Sequence, residues 1–540
     1  MGQPFSHDRM HVIDLLLRGG LVVDGTGARP RVADVGVDRG RVVLQEPGST
    51  ESALVELDVR DRVVSPGFVD IHTHSDLTLL SAPSARSKVA QGVTTEVVGN
   101  CGLGLAPLPP GSPVDPIRAA VGYLDLDPGV QVSWHRLADY LAAVATARPS
   151  VNVAAFVAHL PLHGGVVGLG DQPAGAAELD VMCGLLDEAL GDGGVGLSTG
   201  LAYAPLCFAD ERELLALASV VARRGALFAW HLRDYGDRLI PSVEQALRVA
   251  ATTGCRTQIS HLVSVGRRNW GAVVEALDLV DRARADGLDV GVDMYPYTAG
   301  SAPLSQLLPE WAQDGGIEEV QRRLRQPAVR DRIRSAWVDR PLGWDEIVLN
   351  WLPESAPTMV GRTIASVAES LGSTGDDVAL DLLRDYGGAA LMVAYGRSED
   401  DLRTVLRHPA AVVASDGLAL DPDGVTGTGL PHPRSYGCFP RFLSRYAGDD
   451  LADAIRRCTS APADRVGMAD RGRLAVGLPA DITVLDLARL DDLATYERPH
   501  AYPSGVDLVM VAGEVVVQAG EHTGARPGTA LRRPREGAQS

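Results

Sequence analysis

The stretch GFVDIHTH, residues 67–74, decides the fold. An apolar run of strand character ends in two histidines separated by one threonine. Side chains at i and i+2 point the same way in an extended segment, so His72 and His74 can face one ion. A lone His-x-His pair carries little weight, but one at the exit of an apolar strand points to a site built on strand ends. Seven more β-rich apolar runs follow it: TTEVVGN, VNVAAFVAH, VGLSTG, ALFAWH, TQISH, VGVDMYPY and AVVASD. Most are separated by segments of helical period, such as DVMCGLLDEALGD and DERELLALASVVARRG. Strand–helix alternation repeated eight times predicts an α/β chain, a TIM-like (β/α)8 barrel over residues 66–465.

Outward from these runs the pattern changes. The seventh and eighth lie too far apart for one helix, so an insertion is expected at about residues 299–361. It gathers Trp311, Trp337, Trp344 and Trp351. Two readings stand for it: a lid or pocket wall, and the core of a small subdomain. At the two ends, short alternating runs broken by glycine (ADVGVDRGRVVL, DLVMVAGEVVVQAG) read as antiparallel strands. They predict one small β-domain assembled from residues 1–65 and 466–540.

A formal charge of −19 and a pI near 5.1 argue against nucleic acid or an anionic membrane as partner. A small molecule is the expected partner, and the oligomeric state is left open. Six cysteines with no CxxC pair point to a reducing compartment without a disulfide framework. No apolar stretch has transmembrane length and no signal peptide is evident, so a cytoplasmic location is expected. The opening MGQPFS fits the loose N-myristoylation pattern at Gly2, with nothing else to support it.

The chemistry-bearing residues gain weight from position. His72 and His74 follow the first strand, Cys101 the second, His231 the fifth, His261 the sixth and Asp416 the eighth. Barrel enzymes place their chemistry at the C-terminal ends of strands, where these six would converge as metal ligands. Cys101 lies in GNCG, whose glycines allow close backbone approach. A thiolate among imidazoles suits zinc. Cys183, Cys255 and Cys458 read as inert buried thiols. His159 ends the third strand and reads as packing more than ligation, while Glu211 and Glu213 read as a helix N-terminal turn. GGVVGLG lacks the Lys-Ser/Thr of a phosphate loop. His7, His11 and His522 are assigned no role.

The segments SPGFVDIHTHSD, QGVTTEVVGNCGLGLAPL, GVGLSTGLAYAP, HLRDYGDR, QISHLVSVGRRNWG, DMYPYTAGS, SDGLAL, PHPRSYGCFPRFLSRY and DRGRLAVGLPADITVLD resemble the D-aminoacylase (N-acyl-D-amino-acid deacylase) branch of the amidohydrolase superfamily, in family order and over nearly the whole chain. The resemblance implies a tight zinc site from Cys101, His231 and His261 and a weaker second one from His72, His74 and Asp416. It implies hydrolysis of an N-acyl amide. The cysteine of GNCG separates this branch from relatives with a carboxylated lysine, and Lys88 is the only lysine in the chain.

Three positions depart from the family pattern. A lysine that contacts the substrate carboxylate is replaced by Val263, an Arg by His163 and a Thr by Cys438. Tyr295 and Arg434 remain as carboxylate partners. Asp416 is the expected general base. Tyr295 is expected either to donate to the developing oxyanion or to fill the barrel mouth beside Pro296. The competing readings are a cyclic-amide hydrolase of hydantoinase type, a deaminase and a non-catalytic scaffold. A scaffold is expected to have lost ligands, and all six are present.

Overall fold

Each of the eight apolar runs carries a strand. They are β1 Phe68–Asp70, β2 Val93–Val98, β3 in two pieces (Asn152–Ala155 and Val157–Ala158), β4 Gly196–Gly200, β5 Leu227–His231, β6 Arg256–Ile259, β7 Val290–Met294 and β8 Ala411–Val413. The structure is a computed structural model and describes residues 12–122, 124, 126–353 and 355–534. The expectations placed on Gly2, His7 and His11 lie outside these residues.

All neighbouring strands pair in parallel and in sequence order, β1–β2–β3 in one ladder and β3 through β8 in another. Their residues are almost all buried, as in a parallel sheet covered on both faces. Helices supply that cover. Glu211–Arg223 begins at Asp210, whose carboxylate accepts the Glu213 N–H at 3.1 Å, and it buries Leu214, Leu217, Val220 and Val221 on one face. Beyond the strand ends, Thr73 and Gly417 form a parallel bridge. The Asp416 N–H donates to His72 O at 2.8 Å, and the His74 N–H to Gly417 O at 2.9 Å. The chain after β8 therefore meets the chain after β1 at the candidate ligands themselves.

A second sheet draws on both ends of the chain. Val63–Pro66 runs antiparallel to Ile482–Leu485, with Val64 opposite Val484. Ile13–Val22 and Arg31–Asp38 extend the sheet on one side, Val506–Val511 and Glu514–Gln518 on the other. Leu17, Val35, Val37, Val64, Ile482 and Met510 are inward residues of these strands and form its core.

Between β7 and β8 a three-stranded antiparallel sheet, Ala299–Pro303, Leu391–Tyr395 and Ile347–Trp351, packs with four helices on its own core. This segment reaches Tyr395, beyond the Gly361 read from the sequence. Its central strand returns only after the helices Ile364–Leu371 and Gly375–Tyr386. Trp337 and Trp344 are core residues here, and Trp337 also lines a large cavity. Trp337 thus belongs both to the core of this segment and to the cavity wall. Among the described residues no helix is long and apolar enough to cross a membrane.

Candidate metal centre

Each candidate ligand lies at or just beyond the end of a strand. Cys101 lies between Gly99 (φ 78°) and Gly102 (φ 67°) after β2. A Cβ on Gly99 would fall 2.7 Å from Phe156 O, and one on Gly102 2.9 Å from Gly200 N, so glycine lets this turn press against β3 and β4. Asn100 fastens it, its side-chain amide donating to Val97 O at 2.9 Å. Cys101 (φ 54°), His261 (φ 36°) and Asp416 (φ 50°) are themselves left-handed, a conformation that non-glycine residues avoid. These three are candidate ligands among nine such described residues, so backbone strain concentrates at this mouth.

The donors converge. One ligand atom each from His72, Cys101, His261 and Asp416 lie within 4.8 Å of one another, all buried. Cys101 Sγ is 3.3 Å from His72 Nε2 and 3.5 Å from His261 Nε2. His231 Nδ1 lies 3.1 Å from His261 Nε2. The two histidines of the 67–74 stretch reach the same oxygen, Asp416 Oδ1, at 3.4 Å from His72 Nε2 and 2.9 Å from His74 Nε2.

The donor set fits a cation. His231 Nε2 and His74 Nδ1 are buried with no hydrogen-bond partner, and imidazole nitrogens face one another at hydrogen-bond distance. Burial opposes ionisation of the Cys101 thiol, but His72, His231 and His261 outweigh it and hold the thiol well below its ordinary range. Burial likewise opposes charge on His74, yet Asp416 and Cys101 raise its pKa to about 9. Without an ion, protons supply the positive charge that a thiolate and a carboxylate demand. Thiolate, imidazole and carboxylate together suit zinc.

Outside the ligands, Asp293 in β7 accepts from His72 Nδ1 at 3.1 Å, from the His261 N–H at 2.9 Å and from Gln258 at 3.1 Å. Tyr235 packs edge-on against His231 and His261, its hydroxyl bridging Leu232 N and Ser260 O. Neither residue is singled out by the sequence.

A cavity of about 430 Å³ opens on His74, Cys101, His231, His261 and Asp416, with Tyr295, Arg397 and Arg434 in its wall. Arg434 Nη1 lies 2.7 Å from Asp416 Oδ2, and its guanidinium stacks on the Tyr295 ring. Burial raises the Asp416 pKa, but Arg434 and His72 overcome it and hold the carboxyl well below its usual range. Of the three departures from the family pattern, Val263 alone lines this cavity. His163 bonds Glu213 at 2.8 Å in the interior, and Cys438 donates to Ala414 O. His159 bonds the same Glu213 oxygen at 2.7 Å and Thr199 at 2.9 Å, so Glu213 turns inward from its helix to join two histidines. Lys88 is fully buried against Asp70 (2.9 Å) and Glu96 (3.1 Å), apart from the donor cluster.

A family profile described as the amidohydrolase family matches residues 55–517. The chain is 36% identical to an N-acyl-D-glutamate deacylase of Alcaligenes xylosoxydans xylosoxydans, over 96% of this chain and 97% of that one. It is 33% identical to a D-aminoacylase of the same organism, over 96% and 98%. Among solved structures it superimposes on an N-acyl-D-glutamate deacylase from Bordetella bronchiseptica, complexed with zinc and a phosphonate mimic of the tetrahedral intermediate. That match has a TM-score of 0.81 and 33% identity and covers 97% of this chain and all of that one. With a profile across most of its length and such relatives end to end, the chain belongs to the amidohydrolase family, in its D-aminoacylase branch.

Proposed function

We propose that the protein is a zinc-dependent hydrolase that cleaves the amide bond of an N-acyl-D-amino acid. The observation that carries this is the convergence of a thiolate, four imidazoles and a carboxylate beside one cavity. Cys101, His231 and His261 are assigned to a tight zinc, and His72, His74 and Asp416 to a weaker second one. Zinc held by these residues would polarise a carbonyl oxygen and lower the pKa of water toward about 7.

Asp416 serves as general base, taking a proton from the attacking water and returning it to the leaving nitrogen. Its pairing with Arg434 keeps it ionised, the form a base needs. Tyr295 accepts a hydrogen bond from Arg397, which leaves its own proton free to donate toward the substrate. One such donor to an oxyanion is worth about 3–4 kcal/mol. Val263, Leu307, Trp337, Leu342 and Met392 offer room for an apolar acyl chain or side chain.

We further infer that the eight parallel strands close into a (β/α)8 barrel of residues 66–465. The Thr73–Gly417 bridge and its two hydrogen bonds support that closure. The described parts of the terminal segments, 12–65 and 466–534, form the small β-domain, and the insertion runs from 299 to 395.

The test is a hydrolysis screen of N-acetyl D- and L-amino acids and of hydantoins, with metal analysis of the same preparation. Preferential turnover of D-series N-acyl substrates by zinc-bearing protein is expected. Preferential hydantoin opening, or no turnover with zinc bound, would overturn the reading.

A further inference from the structure

We propose that Arg397 forms the anion-binding subsite of the cavity and seats a carboxylate of the substrate. The inference rests on the deacylase reading and names a contact within that site.

Four arginines line the cavity, and three of them hold an acidic side chain or a backbone carbonyl. Arg434 pairs with Asp416. Arg233 donates to Cys207 O, Ala209 O and Gln245 Oε1. Arg340 bonds Trp337 O, stacks on Trp344 and lies 3.6 Å from Asp376. Arg397 is half-buried on the loop after the strand Leu391–Tyr395 and pairs with no described acidic side chain. Its contact is Tyr295, through the hydroxyl and at 5.1 Å from the ring centroid. A half-buried cation with no counter-ion among the described residues, facing a cavity, calls for an anionic ligand.

The surroundings preserve that state. His432 lies beside Arg397 and Arg434; burial and these two cations hold its pKa well below the ordinary range, so it is neutral. The Tyr496 hydroxyl nearby is buried without a partner. A Cβ on Gly300 would fall 2.0 Å from Arg397 Nη2, so the glycine makes room for the guanidinium. Arg434 and Arg397 both contact the Tyr295 ring, which places the free guanidinium one tyrosine away from the arginine that holds the candidate base. With the scissile carbonyl of an N-acyl amino acid at the donor cluster, the proposal sets its α-carboxylate against Arg397. An acidic side chain would offer the same chemistry.

The experiment compares unmutated protein, Arg397→Ala and Arg397→Lys on four compounds: N-acetyl-D-leucine, its amide, N-acetyl-D-glutamate and N-acetyl-D-glutamine. kcat/KM is measured, and Kd of the metal-free proteins is obtained by calorimetry. Loss of a charge-assisted contact lowers affinity roughly ten- to hundred-fold. Arg397→Ala is expected to show that loss on the leucine acid over and above any change on its amide, which reads the Tyr295 contact, with partial recovery in Arg397→Lys. A loss confined to glutamate, sparing leucine and glutamine, would also support the subsite and assign it to the side-chain carboxylate. Equal effects on acids and amides, or none, would overturn it. Failure of the unmutated enzyme to turn over any compound would instead remove the deacylase reading. Calorimetry on the metal-free proteins would then still show whether Arg397 selects carboxylates.

Discussion

Asp293 and His72 are joined at 3.1 Å through the carboxylate oxygen that also accepts the His261 backbone N–H. The Asp293 carboxylate accepts from Nδ1 of His72, so Nε2 is the nitrogen turned toward Cys101 and Asp416 and the one offered to an ion. One carboxylate thus fixes the tautomer of one candidate ligand and the backbone of another. Asp293→Asn keeps one acceptor for His72 and the His261 N–H but removes the negative charge and turns a donor toward the Gln258 amide. Zinc affinity or turnover should fall about ten- to hundred-fold while the fold persists. Chelator competition and circular dichroism on the variant check both statements, and unchanged zinc retention and turnover would contradict the role.

Cys101→Ala should strip the tight zinc. The thiolate offsets much of the ion's charge, and its turn is pinned by Gly99, Asn100 and Gly102, so no neighbouring side chain can take its place. Metal analysis is expected to show a fall from about one equivalent per chain to near none. Unchanged zinc would remove Cys101 from the site.

Asp416→Asn should lower turnover by at least about a hundred-fold with the tight zinc retained. An amide cannot accept the water's proton, while Cys101, His231 and His261 are untouched. Turnover near normal in this variant would mean that another group is the base.

Glu213 gives a stability prediction away from the site. Burial raises its pKa, but hydrogen bonds with His159 and His163 outweigh that and lower it from 4.5 to about 2. A depressed carboxylate pKa stabilises the fold above the unfolded value, and that stability is lost as pH falls through the folded value. The stability gap between the unmutated protein and Glu213→Gln should therefore be open at neutral pH, by about 3 kcal/mol, and close between pH 4.5 and about 2. Denaturant unfolding at several pH values reads it; a gap that widens on acidification would contradict the assignment.

The strands and donors are legible in the sequence for one reason. Each donor ends an apolar run, and strand ends of this alternation converge by topology. The rest depends on contacts that no local pattern marks. Asp293 lies inside VGVDMYPY, where an aspartate reads as a polar break in a strand. Arg397 meets Tyr295 from 102 residues away, on a loop that closes only once the antiparallel sheet has formed. Residues 299–361 hold two strands of the inserted sheet, whereas the third, LMVAY, follows two further helices. His163 and Cys438 were weighed as substrate positions because of the motifs they interrupt, and both are interior.

The account's central claim is tested most directly by titrating zinc into chelated, metal-free protein while following amine release from N-acetyl-D-leucine. Turnover is predicted to be absent at the start and to reach its maximum near about one equivalent of zinc per chain, the tight site being the one that activates. Turnover that survives chelation, or none at any zinc ratio in folded protein, would contradict it.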